Sequence, residues 1–193
     1  VAWQLDDVLL RKKLMPSHDP RLITDCCREV AGIAGDAAEI GVWKGEGAAL
    51  ICRLLPESTV YLFDTFAGFP TSMKSEKDRK WPADAWQETS IELVRNNLRP
   101  AANYRIIAGV FPDTAAKMQP ALKFVHIDVD LYKSTLAALE WAWPLLVPGG
   151  IILDDDYQCS SCPGALAAVN EFCQRHGINV KADNERAILR RPK

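Results

Sequence analysis

With 193 residues, 23 basic against 25 acidic side chains and a formal net charge of −2, the chain has the length of one ordinary domain able to bury its own core. No block of five or more like charges occurs, which argues against nucleic acid and an anionic membrane surface as partners. The longest apolar stretch, 136–147, is shorter than the roughly 20 residues a bilayer requires and is broken by Glu140 and Pro144, while Asp6 and Asp7 stand where a secretory signal would carry bases; the expectation is a cytoplasmic protein.

In chain order, the periodicity predicts a helix over 21–34, a strand over 37–42 and, after a glycine-punctuated turn, a helix through Leu55. A strand follows over 59–64, then an irregular segment over 65–83, a helix over 85–98 and a strand over 104–108. Next come a buried strand over 124–128, a helix over 133–146, a strand over 151–154 and a helix over 164–176. Two short strands, 178–181 and 187–190, close the chain with only a turn between them. Seven strands alternating with helices predict an α/β fold, a mostly parallel sheet covered by helices on both faces with an antiparallel strand at one edge. In such sheets ligands sit outside the carboxyl ends of the strands, at the switch in strand order.

The turn after the first strand reads Glu39-Ile-Gly41-Val-Trp-Lys-Gly45-Glu-Gly47. Its spacing is G-x-x-x-G-x-G rather than the dinucleotide G-x-G-x-x-G, and Glu39 and Glu46 would repel a phosphate. A ligand without phosphates, such as an adenosyl amino acid, suits it better. Asp64 ends the second strand, where an acid commonly hydrogen-bonds the two hydroxyls of a ribose.

Asp128 and Asp130 alternate at the end of one strand and so share a side. Asp154, Asp155 and Asp156 end the next. Five carboxylates at adjacent strand ends repel one another unless a cation lies among them or some are protonated. Oxygen-only ligands favour a hard cation such as Mg²⁺, which would ease deprotonation of a substrate hydroxyl beside a methyl donor. Capping of the helices near Tyr132 and Gly164 accounts for two or three of these acids but not all five. Six scattered cysteines predict reduced, mostly buried thiols; Cys159-x-x-Cys162 has the spacing of half a zinc or redox site, with no second pair to complete it. His126 reads as a satisfied core histidine on the Asp128 face, His18 and His176 as surface or helix-end residues.

From about Asp36 onward the sequence resembles the macrocin O-methyltransferase family. The residues that carry the likeness are Glu39-Ile-Gly-Val-Trp-Lys-Gly45, Asp64-Thr-Phe-Ala-Gly-Phe-Pro70, Gly109-Val-Phe-Pro-Asp-Thr114, His126-Ile-Asp-Val-Asp-Leu-Tyr-Lys-Ser-Thr135, Pro148-Gly-Gly150 and Asp155-Asp-Tyr157, followed by Cys159 and Cys162-Pro-Gly. The resemblance implies a Rossmann-like class I methyltransferase using S-adenosylmethionine and Mg²⁺ on a sugar hydroxyl of a bacterial secondary metabolite. Carried over by position, Glu39, Gly41, Val42, Gly45, Asp64, Thr65, Phe66, Asp113 and Asp128 fall on cofactor-binding motifs. Asp128, Asp155 and Asp156 fall on the metal ligands, and Asp130, with Asp128, on the catalytic acids, Asp130 as general base. Asp154 occupies a position that is usually apolar in relatives, so a one-residue shift among the ligands stays open.

On this reading residues 1–193 make one methyltransferase domain, with 1–35 a helical cap and 65–84 a lid over the acceptor; Trp81 and Trp86 either stack on a ring or anchor the lid. The expected partner is a small-molecule hydroxyl, and the short N-terminal region leaves a homo-oligomer's second subunit as a candidate wall of the site. Two rivals remain: a catechol-type O-methyltransferase, and a cofactor-binding module without catalysis.

Overall fold

The computed structural model describes residues 20–79, 81, 82 and 85–193; His18 and most of the expected N-terminal cap lie outside them. The first described helix, α1 (Pro20–Val30), turns Leu22, Ile23, Cys26, Cys27 and Val30 inward, the i, i+4, i+8 stripe of a helix that packs by one face. After it come β1 (Asp36–Ile40), α2 (Glu46–Leu54), β2 (Val60–Asp64), α3 (Ile91–Leu98), β3 (Tyr104–Ala108), β4 (Leu122–Ile127), α4 (Tyr132–Leu145), β5 (Leu146–Asp154), α5 (Pro163–His176), β6 (Lys181–Asp183) and β7 (Arg186–Arg190).

The strands form one seven-stranded sheet in the order β3-β2-β1-β4-β5-β7-β6. The first five run parallel, β7 is antiparallel to β5, and β6 pairs antiparallel with β7 at the edge. Side chains alternate across this sheet: Ala37, Phe124, Ile151 and Leu153 pack with α1 and α2, while Ala38, Val125, Ile127 and Ile152 pack with α4 and α5. Every residue of β4 is buried, as expected of a central parallel strand covered on both faces.

The chain order reverses between β1 and β4, and there the pairing continues past the strands. Asp128 N donates to Ile40 O and Asp155 N to Ile127 O, each at 2.9 Å. Gly41, Asp128 and Asp155 therefore stand side by side at the carboxyl ends of three adjacent strands.

Three local expectations are corrected. The helix predicted from 85 begins only at Ile91: Ser90 Oγ accepts the Leu93 N–H at 3.1 Å and caps it there. Before it, Trp86 is left-handed at φ 64°, which no helix allows. The strand predicted over 151–154 starts at Leu146, because Pro148-Gly-Gly150 is absorbed at a register shift in the β4–β5 pairing. Of the closing strand pair, the one predicted over 187–190 stands at 186–190, while the one predicted over 178–181 is displaced to 181–183; the turn between them falls on Asn184 and Glu185, both left-handed, and without a glycine its place does not show in the sequence.

Candidate active site

A cavity of about 420 Å³ opens where β1, β2, β4 and β5 end. Its first wall is the glycine turn. Gly41 lies at φ 86°, and a Cβ there would sit 1.8 Å from Asp128 O, so only glycine lets the exit of β1 approach that of β4. Asp64 fixes the rest of the turn: Oδ2 accepts the Val42 and Trp43 N–H groups, each at 2.8 Å, and Oδ1 accepts Phe66 N–H at 2.7 Å.

The roof is aromatic. Phe69, Trp81, Trp86 and Trp43 contact one another in succession at centroid distances of 5.4, 5.8 and 5.3 Å, and all four line the cavity. Trp81 and Trp86 thus pack on neighbouring aromatics and line the cavity at once. The segment 75–78 is clamped to the start of α4 by Asp78, buried at 4 % exposure. Its Oδ1 accepts Tyr132 N–H at 2.9 Å at the start of α4, while Oδ2 accepts the Ser75 N–H and hydroxyl at 2.8 and 2.6 Å. Gly164 makes room for this clamp, since a Cβ there would lie 2.1 Å from Asp78 Oδ1.

The opposite wall is acidic. One carboxylate oxygen from each of Asp128, Asp130 and Asp156 lies within 4.8 Å of the others. Asp130 is left-handed at φ 58°, a strained conformation for a residue with a side chain, and it turns its N–H onto Asp156 Oδ2 at 2.7 Å. Burial, followed by the Asp156 and Asp128 charges, pushes the Asp130 carboxyl well above the usual carboxylate range. Burial and the charges of Asp128 and Asp155 push Asp156 up to about 7. Cys162 Sγ sits between them, 3.3 Å from Asp130 Oδ1 and 3.4 Å from Asp156 Oδ1.

Asp155 lines the same cavity but is held from elsewhere. Arg186 Nε donates to its Oδ1 at 3.0 Å, and His126 Nε2 faces that oxygen at 3.8 Å. His126 is fully buried, with Nδ1 2.9 Å from Glu39 Oε1. Burial alone would lower its pKa, but Asp155 and Glu39 outweigh it and hold the imidazole well above the ordinary histidine value. Glu39, His126, Asp155 and Arg186 thus form a chain running from beneath the glycine turn to the cavity wall.

Of the residues singled out in the sequence, Gly41, Asp64, Thr65, Asp128, Asp130, Asp155 and Asp156 line the cavity. Glu39 lies below it against His126, and Gly47 is a glycine because a Cβ would meet Glu39 Oε1 at 2.2 Å. Val42 contributes its N–H to Asp64, Gly45 packs its left-handed turn on Leu98 and Val94, and Phe66 packs against the core. Asp113 opens a short 3-10 turn and is exposed; Gly109 and Phe111 line the cavity near it. Asp154 points to the other face of the sheet, fully buried and, among the described residues, with no hydrogen-bond partner for either carboxyl oxygen; burial and then the Asp156 charge push it well above the carboxylate range. Arg186 is not legible in the sequence, because its turn carries no motif, and Cys162 shows there only through the cysteine spacing and the Cys162-Pro-Gly of the family likeness.

The profile of the macrocin-O-methyltransferase (TylF) family matches residues 20–186. The chain belongs to that family. Among curated relatives, the mycinamicin III 3''-O-methyltransferase of Micromonospora griseorubida is 32 % identical over 83 % of this chain and 70 % of its own length. An 8-demethyl-8-(2,3-dimethoxy-alpha-L-rhamnosyl)-tetracenomycin-C 4'-O-methyltransferase of Streptomyces olivaceus is 30 % identical, over 77 % of this chain and 61 % of its own. Demethyldecarbamoylnovobiocin O-methyltransferase of Streptomyces niveus is 32 % identical, over 81 % and 65 %. Among solved structures, that of the O-methyltransferase NovP superposes with a TM-score of 0.80 at 28 % identity, covering 90 % of this chain and 79 % of its own. A calicheamicin methyltransferase, 22 % identical, shares the fold at 0.78 over 96 % and 82 %. Membership in the macrocin-O-methyltransferase family makes this chain an O-methyltransferase, and family and fold together imply S-adenosylmethionine as its methyl donor. Among the described residues no helix is long and apolar enough to cross a membrane.

Proposed function

We propose that this macrocin-family enzyme transfers the methyl group of S-adenosylmethionine to a sugar hydroxyl of a secondary metabolite, with magnesium held among its strand-end aspartates. The observation that carries the reading is the convergence of Asp128, Asp130 and Asp156 in the cavity that also holds Gly41 and Asp64. The tetracenomycin relative, whose name specifies a rhamnosyl group, supports the sugar.

Both groups fit the residues present. Gly41 lets the ends of β1 and β4 close together under the cavity, and Asp64, anchored by three N–H groups, keeps a lone pair for a ribose hydroxyl. The all-oxygen donor set suits a hard cation, which when bound supplies Lewis acidity that eases loss of the acceptor's hydroxyl proton. Asp130 is the base: burial and the neighbouring Asp156 and Asp128 charges raise the proton affinity of its carboxyl, which in its ionised form takes that proton. The aromatic roof keeps water from the methyl group.

Asp128 and Asp156 would hold the cation, with Asp155, which Arg186 holds at 3.0 Å, as the third carboxylate. Arg186→Ala then tightens magnesium binding in calorimetry; an unchanged affinity would leave Asp130 as the third ligand. The whole reading is tested by titrating S-adenosylmethionine into the protein with EDTA, then with Mg²⁺ and a panel of vicinal diols and deoxysugar conjugates. One-to-one cofactor binding, with acceptor binding only when Mg²⁺ is present, is the expected result. Acceptor binding and turnover indifferent to Mg²⁺ would sink the metal.

A further inference from the structure

Beside the all-oxygen cluster lies a second set of ligand atoms of different character. One ligand atom each of Asp156, Cys159 and Cys162 lies within 4.8 Å of the other two. The backbone brings this about: Cys159 N–H bonds to Asp156 O at 3.2 Å and Cys162 N–H to Cys159 O at 2.9 Å. Two successive three-residue turns thus bring residues 156, 159 and 162 together. Cys162 is the N-cap of the 14-residue helix α5, with Pro163 at its first position; burial and the Asp156 and Asp130 charges push its thiol up, so the sulfur keeps its proton until a cation displaces it. All three residues line the cavity, and Cys159 is partly open to solvent, which provides an entry path.

The spacing fits a tetrahedral ion. With metal–sulfur and metal–oxygen bonds of about 2.3 and 2.0 Å, a tetrahedral angle separates the two ligand atoms by about 3.5 Å; Cys162 Sγ and Asp156 Oδ1 are 3.4 Å apart. We infer that Asp156, Cys159 and Cys162 form a site for a thiophilic divalent cation, zinc or cadmium by ligand softness, which shares Asp156 with the aspartate cluster. Binding replaces two S–H protons, released to solvent, by two metal–sulfur bonds, while Asp156 supplies the oxygen and the cavity side stays open for water. It also removes the thiol that bridges Asp130 and Asp156. Only the competition described next rests on the magnesium reading; the thiol site stands without it.

The test is a cadmium titration of the EDTA-treated full chain, kept reduced with a phosphine, read by thiolate-to-metal charge-transfer absorption. One equivalent should bind with the amplitude of two thiolates. Cys159→Ser should lower the affinity by at least about tenfold, whereas Cys52→Ser, buried under β1, should leave it unchanged. Cys162 is buried, so Cys162→Ser is checked for folding by circular dichroism; partly exposed Cys159 carries the test on its own. Absence of the band in the wild type, or a band unaltered in Cys159→Ser, would overturn the site. Added Mg²⁺ should weaken cadmium binding. Cadmium binding that persists unweakened while Mg²⁺ binds by calorimetry would overturn the sharing of Asp156, and no Mg²⁺ binding at all would remove the magnesium reading but leave the thiol site standing.

Discussion

At the glycine-turn end of the cavity a single carboxylate, Asp64, accepts three backbone N–H groups, while at the β4–β5 end four aspartates crowd together, and burial with the charges of their neighbours raises the proton affinity of Asp130 and Asp156. At the first end the polypeptide itself occupies most of the carboxylate's acceptor sites as it folds, so that Asp64 holds a backbone shape and has little unresolved charge left. The second is incomplete without a proton or a cation, and its charge is the chemical resource of the site. A protein can accumulate such unresolved charge only where the rest of the fold holds it in place, and here the buried β4 and the α4–α5 layer do so.

The largest effect separating the two ends should come from Asp130→Asn, which removes the base while keeping the size of the side chain. Its kcat should fall by about 10²–10⁴-fold with cofactor affinity unchanged by calorimetry, and an equal loss of cofactor affinity would mean that the two ends are not separable. Asp64→Ala should do the reverse: the KM for S-adenosylmethionine rises, and thermal unfolding shows a loss of about 2–3 kcal/mol because three turn N–H groups lose a charged acceptor. Unaltered stability would show that water replaces the carboxylate at no cost.

Much of this contrast was legible in the sequence because its carriers are local. Glycines needed for left-handed turns and acids at strand ends are visible in Glu39-Ile-Gly41 and Asp128-Val-Asp130, and the alternation of apolar runs predicts the sheet. What the sequence could not give was pairing across long separations. Glu39 looked like a cofactor ligand but meets His126, 87 residues away, at 2.9 Å. Asp155 meets Arg186 from a hairpin turn with no signature. The two orientations of the triple aspartate were also beyond reach, since three identical letters at the end of a strand hide that Asp154 faces the opposite side from Asp155.

That orientation gives a third prediction. Asp154 is fully buried with no hydrogen-bond partner for its carboxyl oxygens among the described residues, so Asp154→Val should stabilise the protein by about 1–2 kcal/mol in denaturant unfolding with little change in kcat; destabilisation would reveal a partner for the acid. The smallest effect is a slope. Because the Asp156 pKa is raised in the folded protein, to about 7, the folded state binds the extra proton between the ordinary carboxylate value and that point. Its contribution to stability is full below about pH 4 and is lost as pH rises through about 7. The melting temperature of metal-free wild type should therefore fall more steeply over that interval than that of Asp156→Asn; equal slopes would place the titration elsewhere.

The Asp78 clamp adds a mechanical constraint. The carboxylate that holds the 3-10 turn at 76–78 together also accepts the first N–H of α4, the helix that follows directly on Asp128 and Asp130. Lifting the segment 75–78 would leave the Tyr132 N–H without that acceptor, so the segment cannot move without loosening the start of α4. The position of one wall of the cavity and the order of the turn that carries its acids are thus geared to one another.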